Sequence, residues 1–293
     1  MSQHKEAMFY KSRRDGGVQC FLCPHHCVIY DDKVGLCGVR KNLKGKLYSL
    51  IYGKVSSMAL DPIEKKPLRN FHSGSNIFSI GSLGCNLSCP FCQNHCIAKV
   101  DVFNSEPEVI SISSEEMVEK AWSLKPRGNV GIAYTYNEPS VWYEFVLDTA
   151  KLAKEKGLLN IMVTNGYLNS DPLKELLPYI DAMNIDLKAF NQEFYKNIGN
   201  GNLEIVKKSI EQAASTCHVE VTTLVIPDLN DSPNEMDKMC EWLASINPLI
   251  PLHLSRYFPR YQMRDKEPTS YESLSQLADI ARKHLKYVYL GNV

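Results

Sequence analysis

Cys85, Cys89 and Cys92 stand in the run Gly84-Cys85-Asn86-Leu87-Ser88-Cys89-Pro90-Phe91-Cys92, a C-x3-C-x2-C triplet. Thiolates this close can hold one soft metal centre, and three ligands fall one short of closing a cubane or a tetrahedral site. A centre with three protein ligands keeps one position open, and open positions serve chemistry rather than scaffolding. The competing readings are three unrelated buried thiols or a zinc knuckle. A second group, Cys20, Cys23, Cys27 and Cys37, follows C-x2-C-x3-C-x9-C. Four thiolates in so short a segment can close a tetrahedral shell, and a closed shell is structural. Zinc, a second iron–sulfur cluster or free thiols are the readings there, with His25 and His26 able to replace a sulfur. A region this small and Cys-rich is expected to bury little core, so a metal would stabilise it. Cys96, Cys217 and Cys240 are isolated.

These groups need elements to position them. The length of 293 residues fits one large domain with a small appendage, and the chain divides near residue 75. Residues 1–75 are Cys-rich, then basic, with short strand-like runs. Residues 76–293 alternate strand-like and amphipathic helical segments. The strand candidates are 77–84, 129–136, 159–165, 182–188, 219–226 and 252–257; the helix candidates are 114–124, 141–156, 173–180, 203–215, 235–246 and 271–285. Ser113 with Glu116 reads as a capping box, and Asp171-Pro172 and Ser232-Pro233 as helix starts. Six βα units in a row call for a parallel sheet with right-handed crossovers. No G-x-G-x-x-G follows the first strand, which removes support for a Rossmann nucleotide site. The expected fold is α/β, a partial (β/α)6 TIM-type barrel with a small Cys-rich N-terminal domain, and its site should lie where strands end and loops begin.

Composition narrows the setting. An apolar share of 44% and a charged share of 23% suit a globular protein. Met1 to Lys5 carry no apolar h-region and no run of about 18 apolar residues occurs, so neither a signal peptide nor a membrane span is expected. A cytoplasmic setting follows, and ten Cys then suggest metal sites rather than disulfides. A formal charge of zero argues against a general nucleic-acid coat. Between Arg40 and Asn70, however, Arg40, Lys41, Lys44, Lys46, Lys54, Lys65, Lys66 and Arg69 stand against Asp61 and Glu64, eight minus two, a net of six. That excess is either a solvated surface or a dock for an acidic partner or RNA.

Polar residues cluster at the strand ends. Strand two runs into Thr135-Tyr136-Asn137-Glu138-Pro139; Glu138 offers an acceptor for an ammonium group, or simply an acid at a helix N-terminus. Strand three ends in Val163-Thr164-Asn165-Gly166, residues suited to a sharp exit turn. Strand four puts Asn184, Asp186 and Lys188 on one face, which facing a barrel interior would need a polar ligand or a structural Asp–Lys pair. Strand five ends in Val225-Ile226-Pro227-Asp228. In strand six His253, Ser255 and Tyr257 share a face opposite Arg256 and Phe258; a lone strand His is also a common satisfied core residue.

Four runs carry a family resemblance: Asp61-Pro62-Ile63-Glu64-Lys65-Lys66-Pro67-Leu68, Gly84 to Asn94 around the triplet, Thr135 to Pro139, and Tyr287-Val288-Tyr289-Leu290-Gly291-Asn292-Val293. Together they resemble the radical S-adenosylmethionine (SAM) enzymes of the AmmeMemoRadiSam system, relatives of the pyruvate formate-lyase activating enzymes, over nearly the whole chain. The resemblance implies a [4Fe-4S] cluster on Cys85, Cys89 and Cys92 with SAM on the fourth iron. It also implies a flavodoxin- or ferredoxin-like electron donor, and a 5′-deoxyadenosyl radical that takes hydrogen from a substrate. Glu138 would bind SAM's amino group where activating enzymes carry Gly-Gly-Glu-Pro; Tyr136 and Asn137 replace the two glycines. Thr164 and Asn165 match a Thr-Asn-Gly turn, Asp186 and Lys188 would meet the ribose and carboxylate, and Ile226 would lie beside the adenine. His253, Arg256 and Tyr257 are the candidates for substrate or SAM's carboxylate. Members often continue into a further Cys-containing tail, whose function is expected to be absent or supplied elsewhere. The substrate is a glycine in a partner protein, a small molecule or RNA; the non-enzyme alternative is a zinc-binding interaction protein.

Overall fold

All six expected parallel strands are present, side by side and in sequence order, in a computed structural model that describes residues 4–100 and 108–293. They belong to a sheet of eight: β1 (Ser57–Pro62), β2 (Asn76–Gly81), β3 (Asn129–Tyr134), β4 (Leu159–Thr164), β5 (Ala182–Asp186), β6 (His218–Val225), β7 (Leu252–Arg256) and β8 (Val288–Gly291). Strands β2 to β8 are parallel, and β1 joins antiparallel to β2 at one edge. The result is a partial barrel with two strands more than expected: β8, which the family-like C-terminal run forms, and β1, from residues before position 76. Strand β3 stops two residues short of its expected end because Tyr136 turns into the left-handed region at φ 71°.

The connecting helices are α1 (Ser114–Ser123), α2 (Tyr143–Glu155), α3 (Ser170–Leu176), α4 (Leu203–Ala214), α5 (Pro233–Ile246) and α6 (Tyr271–Ala281). Their apolar positions follow the helical period: α4 buries Leu203, Val206, Ile210 and Ala213 against the sheet. The Ser113–Glu116 capping box forms in full and sets the start of α1. Strands covered on both faces read as nearly continuous apolar runs, as in Ile77 to Ile80 of β2, and polar interruptions such as Glu220 and Thr222 of β6 mark where the interior is not packed with hydrocarbon.

The N-terminal region departs from expectation. It forms two small sheets of its own and pairs Lys54–Val55 with Ile110–Ser111, yet Val18, Leu22, Ile29, Val39, Leu47 and Ile51 are buried in one apolar cluster continuous with the barrel. It buries this core because it packs onto α2 rather than standing alone. Phe9 meets Tyr143 edge-on at 5.2 Å, the Trp142 indole donates to the Ile51 carbonyl at 2.7 Å, and Arg40 pairs with Glu144, both 1% exposed.

Candidate active site

The triplet loop leaves β2 at a point only glycine can occupy. Gly84 has φ +85°, and a Cβ there would lie 2.6 Å from Val39 Cγ1 and 2.7 Å from the Cys37 carbonyl oxygen. The loop is thus pressed against the N-terminal region just before Cys85. Asn137 fixes it from the other side: its Oδ1 accepts from the Ser82 amide at 2.8 Å, and its Nδ2 donates to the Leu83 and Gly84 carbonyls at 2.9 and 3.1 Å. Asn137, expected among the cofactor contacts, is therefore fully engaged in holding the loop, while still bordering the cavity beyond.

Cys85, Cys89 and Cys92 line one wall of a cavity of about 400 Å³, within the range of small-molecule sites. Burial and then the nearby Glu138 carboxylate push the Cys85 thiol up to about 12. Burial also raises Cys92, against the Asn94 amide and the Lys188 ammonium, which favour its thiolate. Two donors point at Cys85 Sγ, the Leu87 amide at 3.4 Å and Asn165 Nδ2 at 3.7 Å. Burial thus favours the neutral thiol at Cys85 and Cys92, and a bound cation would favour the thiolate. Among the described residues no group of three or more His, Cys, Asp or Glu side chains is arranged to hold a single ion. The triplet nevertheless fits a [4Fe-4S] cluster, whose cysteines each bind a different iron, and hydrogen-bond donors already face the sulfur.

Glu138, Thr164, Asn165, Asp186 and Lys188 line the same cavity as the thiols, each at or just past a strand's C-terminal end. The buried Glu138 carboxylate accepts three hydrogen bonds: Ser140 amide 2.9 Å, Thr164 hydroxyl 2.6 Å and Asn165 amide 2.8 Å. It caps the turn Pro139–Trp142 and ties β3 to β4, so the helix-terminus reading of this acid is realised in the structure. Burial still outweighs these donors and raises its pKa, which leaves a carboxylate improved by one more cationic partner. Lys188 Nζ lies 2.8 Å from Asp186 Oδ2. Burial works against the ammonium, but Asp186 and Cys89 hold its pKa up, so it remains a cation within the cavity wall.

Tyr136 occupies a conformation suited to glycine and is held there by its neighbours. Asn94 Nδ2 donates to its carbonyl at 2.6 Å, its phenol donates to Asp61 Oδ2 at 3.0 Å, and the Lys66 ammonium sits 4.7 Å from the ring centroid. Asp61 also pairs with Lys66 at 2.9 Å. Burial, and then Asp61, push the Tyr136 phenol up to about 12. The Asp61–Leu68 run thus backs the cavity wall, and its Lys65 and Pro67 line the cavity directly.

Several expected residues lie elsewhere. His253 is one layer deeper than the cavity, its Nε2 2.6 Å from Glu220 Oε2; that carboxylate also meets His218 and accepts the Arg69 and Asn70 amides. It is the satisfied interior histidine of the alternative reading. Arg256 donates to the Thr269 carbonyl at 2.8 Å, the Tyr257 phenol to the Met263 carbonyl, and Ile226 is buried behind its own turn with Asn230. None of these four lines the cavity; Thr222, Leu224, Ser255 and Asn292 do. Ser255 shared the inward face with His253 in the sequence, so alternation pointed to it once the depth of the cavity was known. The basic stretch Arg40–Arg69 is not one exposed patch either: Arg40, Lys41 and Lys66 are buried and paired with Glu144, Asp32 and Asp61. Cys20, Cys23, Cys27 and Cys37 do come together, around a second, small cavity that Arg40 also lines.

A model of the radical SAM superfamily matches residues 79–243, more than half of the chain and the stretch that carries the triplet and β3 to β6. The chain belongs to the radical SAM superfamily. Like other radical SAM proteins it is an enzyme whose chemistry rests on a [4Fe-4S] cluster and SAM. It is 42% identical over 292 residues to Uncharacterized protein MJ0808 of Methanocaldococcus jannaschii, covering 99% of this chain and 85% of that one. It is 26% identical over 220 residues to the pyruvate formate-lyase-activating enzyme of Clostridium pasteurianum, covering 69% and 87%. The crystal structure of Streptococcus suis SuiB bound to S-adenosylmethionine has the same radical SAM fold, with a TM-score of 0.57 at 12% identity over 78% of this chain and 52% of that one. No helix among the described residues is long and apolar enough to cross a membrane.

Proposed function

We propose that this radical SAM enzyme binds its cluster through Cys85, Cys89 and Cys92 and its SAM against Glu138, Asp186 and Lys188, and takes a hydrogen atom from a protein substrate in the manner of an activating enzyme. When bound, the cluster and SAM supply reductive cleavage of a sulfonium bond and radical hydrogen abstraction. The observation that carries the reading is one cavity lined by three thiols together with a carboxylate, an Asp–Lys pair and a Thr-Asn turn. Lys188 donates to SAM's carboxylate, Asp186 accepts from ribose hydroxyls, and Glu138 receives the ammonium; Asn137 and Gly84 keep the thiol loop in place. A flavodoxin- or ferredoxin-like protein is the electron donor.

Losing one charge-assisted hydrogen bond should weaken SAM binding by roughly ten- to hundredfold, about 1.5–3 kcal/mol. SAM titrated into Asp186→Asn and Lys188→Met, with iron content matched to the parent, measures this. Parent-like affinity in both would make Asp186 and Lys188 a structural pair only and move the nucleoside elsewhere.

Similarity to a pyruvate formate-lyase-activating enzyme supports the protein substrate, and burial of three of the eight basic residues weakens the case for RNA. Formation of 5′-deoxyadenosine should rise with the protein fraction of a cell extract. A rise with the small-molecule filtrate instead would reassign the substrate class. We also infer that Cys20, Cys23, Cys27 and Cys37 hold a second metal centre, on the support of their shared cavity.

A further inference from the structure

Resting on that last reading, we propose that Cys20, Cys23, Cys27 and Cys37 hold an iron–sulfur cluster that relays electrons from the protein donor to the cluster at Cys85, Cys89 and Cys92. Three observations lead there. The first is contact: the Cys37 carbonyl lies against Gly84, the residue before Cys85, at a spacing that excludes even a methyl group. His25, between Cys23 and Cys27, reaches the same loop, its Nε2 2.7 Å from the Asn86 carbonyl, and its ring lies 5.1 Å from that of Tyr167. Asn86 in turn is bonded to Asn165, whose Nδ2 faces Cys85 Sγ. The two thiol groups are thus joined by a few packed residues with no intervening element. A metal serving only to staple the N-terminal segment would not need this placement.

The second is the core. A structural metal is called for where a segment lacks apolar burial, but this segment shares a continuous apolar cluster with the barrel. The third is the arrangement of the thiols. Zinc draws four sulfurs to about 2.3 Å from one atom. The N-terminal four line one cavity together, as the triplet thiols do, and the triplet's family uses a multi-iron cluster. The surroundings suit redox work. Arg40, 1% exposed, lines the cavity, with Nη1 3.9 Å from Cys20 Sγ and a buried Nε that has no partner. The Arg40 charge is balanced by Glu144, and what Nη1 offers the cavity is a hydrogen bond toward a ligand sulfur. On the outer side Leu36, between the last two thiols, lines the cavity and is itself 64% exposed, so a donor can approach closely.

The step is a one-electron transfer with no bond made or broken. The reduced flavodoxin- or ferredoxin-like donor gives one electron to the N-terminal cluster and leaves oxidised; that cluster is reoxidised as the electron passes to the one at Cys85, Cys89 and Cys92. The test uses full-length protein reconstituted with iron and sulfide without air. The Cys85→Ala, Cys89→Ala, Cys92→Ala variant should retain about four iron and an electron paramagnetic resonance signal that reduced flavodoxin produces and SAM does not alter. Zinc in place of iron would overturn the relay while keeping the second metal centre; no metal would overturn both. In the parent, freeze-quenching after mixing with reduced flavodoxin should show the SAM-insensitive signal first and the SAM-sensitive one at its expense. The opposite order, or a SAM-sensitive signal that appears with no precursor, would overturn the relay even if the variant fails to fold.

Discussion

Tyr136 shows how a single residue can hold an unfavourable backbone because its side chain is used. A left-handed conformation costs an L residue about 1–2 kcal/mol, and here the phenol–Asp61 bond, the Lys66 cation–π contact and the Asn94 bond offset it. Asp61 is the hub, since Lys66 is buried and burial lowers its pKa against that carboxylate. Removing the phenol hydroxyl in Tyr136→Phe should cost about 1 kcal/mol. Asp61→Ala should cost about 3–5 kcal/mol, because it strands a buried ammonium. Adding Lys66→Met to Asp61→Ala should restore most of that loss. Urea denaturation midpoints decide it; equal losses in the two single variants, or no recovery in the double, would mean that Asp61 serves something other than Lys66. The sequence pointed to Tyr136 and Asn137 only as departures from a glycine pair. That one supplies the turn and the other clamps the thiol loop depends on atoms up to 75 residues away, which no local pattern encodes.

At the scale of elements, the six parallel strands were legible because burial on both faces writes itself as apolar runs broken by turns. The order of polar layers inside the barrel was not legible. Alternation says which residues point inward and is silent on depth, so His253 and Ser255 looked equivalent, although only Ser255 meets the cavity. The deeper layer is built on β6. Glu220, with no exposed side-chain surface, is opposed by burial but holds four partners, His218, His253 and the two amides, which bring its pKa down to about 2. A carboxyl depressed from 4.5 stabilises the fold fully above its unfolded pKa, and that stability is lost as pH falls through about 2. The shift corresponds to roughly 3 kcal/mol. Parent protein should therefore lose stability steeply between pH 5 and pH 3, and Glu220→Gln, less stable at pH 7, should show a shallower slope. Parallel slopes in denaturation series at the two pH values would place the acid sensitivity on other carboxylates.

For the molecule as a whole, the triplet and the alternation of strands and helices were enough to place the chain among radical SAM barrels. The relation of the two cysteine groups was not readable, because it depends on residues 37–39 meeting residue 84 across the fold. β1 likewise belongs to the barrel sheet although it precedes the change in pattern near residue 75, since an edge strand needs only one covered face and carries a weaker signal. The contact at Gly84 has a bearing on inheritance. A side chain at 84 cannot coexist with the Cys37 carbonyl and Val39 in their present positions, and the φ of +85° would keep 84 a glycine even in a lineage that shed the first four cysteines. Across descendants of this chain, glycine at 84 should then outlast the N-terminal thiols, because the turn makes its own demand on that position.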